Sequence, residues 1–128
     1  RMTTLYQVAA ANKGIVVGTG NKVEDFGVGF YTKYGDGGVD ISPIADCNKT
    51  EVWQLGKELG ILKEIIEAPP TDGLWDDGRT DEGQLGFKYE DLEDAMKNPG
   101  SPHREEYEKI RKQNLHKMDP IPVCKIPS

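Results

Sequence analysis

Cysteine is nearly absent from this chain: Cys47 and Cys124 are the 2 it has in 128 residues, and neither sits in metal-ligand spacing. The economical reading is two reduced thiols in a cytosolic protein. Long apolar runs are lacking too, so no stretch approaches a membrane span and no signal peptide is visible. Histidine is scarce: His103 and His116 lie too far from a cysteine or from one another to suggest zinc, and neither joins a visible nucleophile triad. Positive charge is in short supply, with 16 Lys and Arg against 22 Asp and Glu and a net charge of -6. A nucleic-acid backbone is therefore a poor main partner, because wide phosphate contact needs a basic field. Local basic positions remain able to hold a small anion.

What is present points to a single loop-rich domain. Hydrophobic residues make up 36% and charged residues 30%, which permits a modest core, while 15 Gly and 8 Pro interrupt the chain often. A chain of this length buries roughly two-thirds of its unfolded surface. Residues 1–100 carry 10 basic and 18 acidic side chains, whereas 101–128 carry 6 and 4, so the tail is mildly basic.

Apolar spacing predicts a helix from Met2 to Asn12 with Gly14 as its stop. That helix opens without a cap, which reads as a chain whose beginning is absent. Ile15 to Val17, β-branched and bounded by glycine, suits a buried strand of a parallel sheet, and Ile41 to Ile44 is a second candidate weakened by Pro43. Thr19 to Gly29 reads as a loop turning into a short helix capped by Thr19 or Asn21. Asn48 with Glu51 forms a capping-box pattern for a helix through Leu59, with Val52, Leu55 and Leu59 on one face and Gly60 ending it. A short helical piece, Leu62 to Glu67, stops at Pro69 and Pro70. Residues 69–86 read as one long loop rich in acid and glycine, of the kind that is either a functional lid or disordered. Helices follow at Tyr89 to Lys97 and around Arg104 to His116. Strand, loop, helix, strand, helix is α/β logic, and in parallel sheets ligands bind beyond the carboxyl ends of the strands. Both strand candidates adjoin polar, glycine-bearing segments, which points to one shared cleft.

Two segments carry candidate chemistry. In Gly18 to Asp25 (GTGNKVED), the Thr19 hydroxyl can reach a base or phosphate and Glu24 can hold a hard cation such as Mg2+, which takes a few carboxylates plus phosphate oxygens. The same residues read equally well as a capped helix start with solvated acids. In Thr32 to Ile44 (TKYGDGGVDISPI), Lys33 can neutralise a phosphate and Asp40 can accept from ribose hydroxyls, with glycines allowing close backbone approach. A surface hairpin explains the glycines too. Lys49 opposes the helix dipole just after Asn48, which favours a bound anion nearby, although a solvated lysine is commoner. Trp53 and Trp75 read as core and loop anchors. The acids Asp72, Asp76, Asp77, Asp81 and Glu82 could bind a cation, although a solvated acidic loop is the commoner case.

In order, GTGNKVEDFGVGFYTKYGDGGVDISPIADCNKTEVWQLGKELGI, PPTDGLW, TDEGQLGF with YEDL, and the pair His116-Lys117 resemble the NAD synthetase family over nearly the whole chain. The resemblance implies an adenine-nucleotide α-hydrolase-like, Rossmann-like α/β domain with a parallel sheet. It implies adenylylation of the carboxylate of deamido-NAD by ATP with release of pyrophosphate, then displacement of AMP by ammonia. It further implies Thr19, Lys49 and Thr71 as ATP contacts, Glu24 as a Mg2+ ligand, and Lys33, Asp40, His116 and Lys117 as deamido-NAD contacts. Residues 69–86 would be a mobile segment over substrate and 101–128 a C-terminal helix and tail. A cytoplasmic homodimer is implied, with the dinucleotide near the subunit interface and Lys33 able to serve the neighbour.

The family's pyrophosphate-binding signature, Ser-Gly-Gly-x-Asp-Ser, does not occur in this sequence. The expectation is that it lies upstream of Arg1, together with an arginine for deamido-NAD, so that residues 1–128 form the C-terminal half of one domain and are inactive alone. Direct use of ammonia is favoured over glutamine. Another ATP pyrophosphatase of the same fold, such as a GMP synthetase or a tRNA-modifying enzyme, is the enzymatic alternative. A nucleotide-binding or dimerisation remnant is the non-enzymatic one.

Overall fold

The computed structural model describes residues 1–127. Its elements run α1 (Met2–Ala11), a π-helical turn (Val23–Val28), α2 (Lys49–Glu58), α3 (Lys63–Ile66), α4 (Asp81–Leu85), α5 (Tyr89–Lys97) and α6 (Arg104–Met118). The core gathers where α5 and α6 close over the π-turn. Tyr89, Leu92 and Ala95 share one face of α5, Tyr107 comes from α6, and all meet Val23 and Val28 with Phe30, Trp53 and Ile110 around them. Fully burying one such side chain stabilises by about 1.5–3 kcal/mol, so this cluster dominates cohesion among the described residues.

The π-turn is built by named contacts. Asn21, buried, accepts at its Oδ1 from the amides of Val23 (3.0 Å) and Glu24 (3.2 Å), which is the cap the sequence assigns to Thr19 or Asn21. Gly29 ends the turn at φ 69°, and a Cβ there would meet the Asn114 side chain, so glycine serves both backbone and packing. α6 then covers the exposed carbonyls: Arg111 donates to the oxygens of Phe26 and Gly27, and Lys117 Nζ donates to those of Gly29 and Tyr31, each at 2.8 Å. Turns of the π class concentrate at functional sites, and this one carries Glu24 and Asp25.

α2 starts as its sequence dictates. The Asn48 side chain and Glu51 form the capping box, with the Asn48 amide 2.7 Å from Glu51 Oε2. A third partner comes from α5: the carboxylate of Glu93 accepts from the Thr50 amide (3.0 Å) and hydroxyl (2.7 Å). α2 docks through Trp53, edge-on to Tyr89 with ring centroids 6.2 Å apart. The face expected to be apolar is turned outward, and Leu59 is 76% exposed.

The expected strands are corrected. Among the described residues there is no strand, only a single parallel bridge between Val17 and Ile41, supported by Gly18 N to Ile41 O (2.7 Å) and Asp40 N to Val16 O (3.0 Å). The pairing and its parallel direction agree with the α/β reading, but the ladder is one bridge long because Ser42 and the residues after it turn at Pro43. Ile15, expected to be buried, is 59% exposed, since no neighbouring element among the described residues covers it. Three local boundaries also differ. Past the end of α1 the residue at positive φ is Lys13 (54°), not Gly14. The supposed continuous loop 69–86 contains α4, capped by the Thr80 hydroxyl accepting from the Gly83 amide. α6 runs on from His116 to Met118. No helix among the described residues is long and apolar enough to cross a membrane.

Candidate functional site

A cleft of about 830 Å3 opens at the bridge ends, where sequence reasoning expects one. Its walls include the segment Val16 to Gly20, Glu24 and Asp25 of the π-turn, Thr32, Tyr34, Gly35 and Asp36 of the glycine-rich loop, and Thr71, Asp72 and Asp81. Stretches far apart in the sequence thus converge on one space.

Glu24 is the centre of its charged wall. The π-turn holds the backbone, and the carboxylate, 16% exposed, accepts from Lys49 Nζ at 3.2 Å, from the Tyr89 hydroxyl at 2.6 Å and from the Asn21 amide at 3.3 Å. The same hydroxyl lies 3.2 Å from Asp81 Oδ2, so one phenol stands between two carboxylates. Asp81, only 7% exposed, has a second oxygen, Oδ1, that is buried with no hydrogen-bond partner among the described residues. Burial, and then the Glu24 charge, push the Asp81 carboxyl above the usual carboxylate range. Burial and the same carboxylates push the Tyr89 phenol well above its ordinary value, so it is a proton donor throughout the working pH range.

An orphaned carboxylate oxygen beside a second carboxylate is the donor set a hard divalent cation takes. No group of 3 or more His, Cys, Asp or Glu among the described residues can hold a metal by itself. Mg2+ commonly uses one or two carboxylates and completes its shell with water and substrate phosphates, so the Glu24-Asp81 pair fits Mg2+ with a phosphate ligand and not a closed protein cage. Sequence reasoning counts Asp81 among five acids that could bind a cation but prefers a solvated loop for them, and gives Tyr89 no role. The cap signal at Thr80 could have revealed α4, but no local pattern reports that α4 and α5 press Asp81 against Glu24.

Asp25, next along the turn, is half-buried. Burial first, then the charges of Glu24 and Asp36, raise its pKa from 3.8 to about 6. Gly20 makes room for that carboxylate, since a Cβ there would overlap it.

The remaining expected residues fall into two groups. Of the residues expected to contact ATP, Thr19 and Thr71 line the cleft with Glu24, whereas Lys49 is not among its lining residues and meets it through the ion pair with Glu24. Lys33, His116 and Lys117 meet elsewhere, at the end of α6: Lys33 Nζ donates to the His116 carbonyl at 2.7 Å, and Lys117 is engaged with the Gly29 and Tyr31 carbonyls. Asp40 stands apart, its Oδ2 accepting from the Val16 amide at 2.7 Å. The glycine-rich loop is a compact turn, not a hairpin: Asp36 Oδ1 accepts from the Thr32 amide, and the amides of Gly35 and Gly37 donate to the Thr32 carbonyl. Gly35, Gly37 and Gly38 all have negative φ. Gly37 is required by contact, because the Tyr31 ring lies where its Cβ would be.

The model of the NAD synthase family matches residues 1–125. The chain belongs to the NAD synthase family. An NH(3)-dependent NAD(+) synthetase of Alkaliphilus oremlandii (strain OhILAs) is 42% identical over 128 residues, covering 98% of this chain and 50% of that protein. One from Archaeoglobus fulgidus is 42% identical over 132 residues, covering 98% of this chain and 53% of the relative. Among solved structures, the NMN synthetase from Francisella tularensis aligns with a TM-score of 0.89 at 33% identity, over 98% of this chain and 53% of that one. The NH3-dependent NAD synthetase from Campylobacter jejuni aligns with a TM-score of 0.68 at 25% identity, over 98% and 52%. The chain thus has the NAD synthetase fold over about half the length of the relatives it matches.

Proposed function

We propose that this NAD synthase family chain is the C-terminal half of the synthetase domain of a cytoplasmic, homodimeric enzyme. The enzyme uses ATP and ammonia to convert deamido-NAD to NAD. The observation that carries the reading is the family match across residues 1–125, joined to a cleft whose charged wall suits a nucleotide phosphate with its cation. In the first step a carboxylate oxygen of the substrate attacks the α-phosphorus of ATP, and the bond to the leaving pyrophosphate breaks. In the second, ammonia attacks the acyl carbon, the acyl-oxygen bond to AMP breaks, and the excess proton passes to solvent.

The first step develops charge on phosphoryl oxygens and the second on the acyl oxygen and the departing phosphate, so positioning and electrostatics supply most of the catalysis. Mg2+, when bound, neutralises phosphate charge and orients the phosphate chain. Glu24 and Asp81 are the residues of this chain that would hold it. Lys49, fixed near Glu24 by the capped start of α2, adds a cation to the same wall, and the Thr19 and Thr71 hydroxyls complete the ATP contacts. The parallel sheet of the complete domain would extend the Val17-Ile41 bridge. At the end of α6, Lys33 and His116 contact deamido-NAD, Lys33 in the neighbouring subunit's site. Lys117 acts there while shaping the Gly29–Tyr31 backbone, and Asp40 offers its second oxygen to a ribose. Residues 69–86 move over bound substrate.

The higher TM-score with an NMN synthetase favours one second reading, in which nicotinate mononucleotide is the carboxylate substrate. The complete protein, incubated with ATP, Mg2+ and ammonium, separates these: NAD formed from deamido-NAD with equimolar AMP and pyrophosphate supports the first. Preference for the mononucleotide supports the second, and amidation of neither overturns both. Glu24→Gln is expected to reduce kcat/KM about tenfold to a hundredfold, as metal-ligand support losses do.

A further inference from the structure

We propose that Tyr89 is a positioning residue: its phenol bridges Glu24 and Asp81 and holds the two carboxylates together for a single divalent cation. This rests on the cation reading of that pair. Two carboxylates brought together from elements distant in sequence repel one another, and one of them, Asp81, is nearly buried, so something must hold them near. Lys49 pairs with Glu24 at 3.2 Å and its charge is also felt at Asp81, but Asp81 has no cation within salt-bridge distance among the described residues. Among the described residues, the Tyr89 hydroxyl is the one group within hydrogen-bond distance of both, at 2.6 Å to Glu24 Oε1 and 3.2 Å to Asp81 Oδ2.

Tyr89 is fully buried as the first residue of α5, in the cluster with Val23 and Leu92 and edge-on to Trp53. Its amide donates to Glu82 Oε1 at 3.0 Å, which ties α5 to α4, the helix that carries Asp81. The phenol therefore reports the position of a rigid core to both carboxylates. It takes one oxygen of each and leaves Asp81 Oδ1, the unpartnered atom, for a ligand. A phenol between carboxylates supplies a proton without a competing positive charge, so it holds the pair without excluding a cation as a lysine would.

Tyr89→Phe keeps the ring and removes only the bridge, so it separates the clamp from the core. In the complete protein, Mn2+ binding followed by electron paramagnetic resonance with α,β-methylene-ATP present is expected to be about tenfold to a hundredfold weaker in Tyr89→Phe than in the natural protein. The KM for Mg2+ rises by a similar factor, while kcat at saturating Mg2+ changes less than threefold. Asp81→Asn weakens Mn2+ binding too, and adding Tyr89→Phe to it costs much less than in the natural background. Unchanged Mn2+ affinity in a folded Tyr89→Phe protein overturns the clamp while leaving the cation reading intact. Absence of Mn2+ binding to the natural protein overturns both. Should Tyr89→Phe fail to fold, 3-fluorotyrosine placed at position 89 locates the cation: Mn2+ must broaden its fluorine resonance strongly, and a sharp line at saturating Mn2+ overturns the cation reading and the clamp with it.

Discussion

Removing Glu93 is expected to loosen the start of α2 and with it the placement of Lys49. Glu93 is 7% exposed and its carboxylate takes both Thr50 donors, at 3.0 and 2.7 Å. Hydrogen bonds to a charged group contribute about 1.5–3 kcal/mol each, and a carboxylate at a helix N-terminus adds about 0.3–1 kcal/mol. Water can reach a part of this site after truncation, so the two bonds do not add in full, and Glu93→Ala is expected to cost about 3 kcal/mol. Glu93→Gln keeps both contacts, because the Thr50 hydroxyl can rotate to accept from the amide, and loses the charge alone, at about 1 kcal/mol. In a domain of 150–250 residues each kcal/mol lowers Tm by about 2–4 °C, so circular dichroism melts of the complete protein should fall by about 6–12 °C for Ala and 2–4 °C for Gln. If Glu93→Ala melts within 2 °C of the natural protein, or Gln is as damaging as Ala, the bidentate cap does not hold α2 in solution.

Three further outcomes follow from the same geometry. Asp25 titrates at 3.8 when solvated and at about 6 in the folded chain, so the folded state binds more protons between those values and stability is lost as pH rises through 6. Undiscounted, that displacement is worth about 3 kcal/mol, and solvent screening of this half-buried group reduces it to about 1 kcal/mol. Asp25→Asn in EDTA should therefore flatten stability between pH 4 and 6 and raise it by about 1 kcal/mol at pH 8, measured by urea unfolding. Gly37→Ala should cost about 1–3 kcal/mol by driving a methyl into the Tyr31 ring, with the melting temperature as readout, and Tyr31→Ala should relieve it. The 128-residue chain by itself, lacking a Ser-Gly-Gly-x-Asp-Ser segment, should form no NAD from deamido-NAD, ATP and ammonium; detectable product would refute that dependence.

Much of the local structure was legible in the sequence, because it depends on residues a few positions apart. The capping box of Asn48 and Glu51, the cap at Asn21 and the start and end of α5 are short-range hydrogen-bond and propensity effects. The strands were not legible at their true length. β-branched spacing reports what a segment can pair with, whereas a ladder needs a partner that runs alongside, and Pro43 turns Ile41's continuation away. α2's docking face was misread for a related reason: Leu55 and Leu59 have the helical period, but Trp53 has the partner.

The sequence by itself determined the family, the candidate ligand loops and Glu24 as the acid to watch, since each is carried by residue type at fixed spacing. Only the tertiary structure decided what Glu24 faces. Asp81 and Tyr89 lie 57 and 65 positions further along, and their meeting with Glu24 depends on α4 and α5 packing against a π-turn that α6 holds in place. A buried carboxylate oxygen without a partner is a property of that packing, and no pattern of neighbours in the chain contains it.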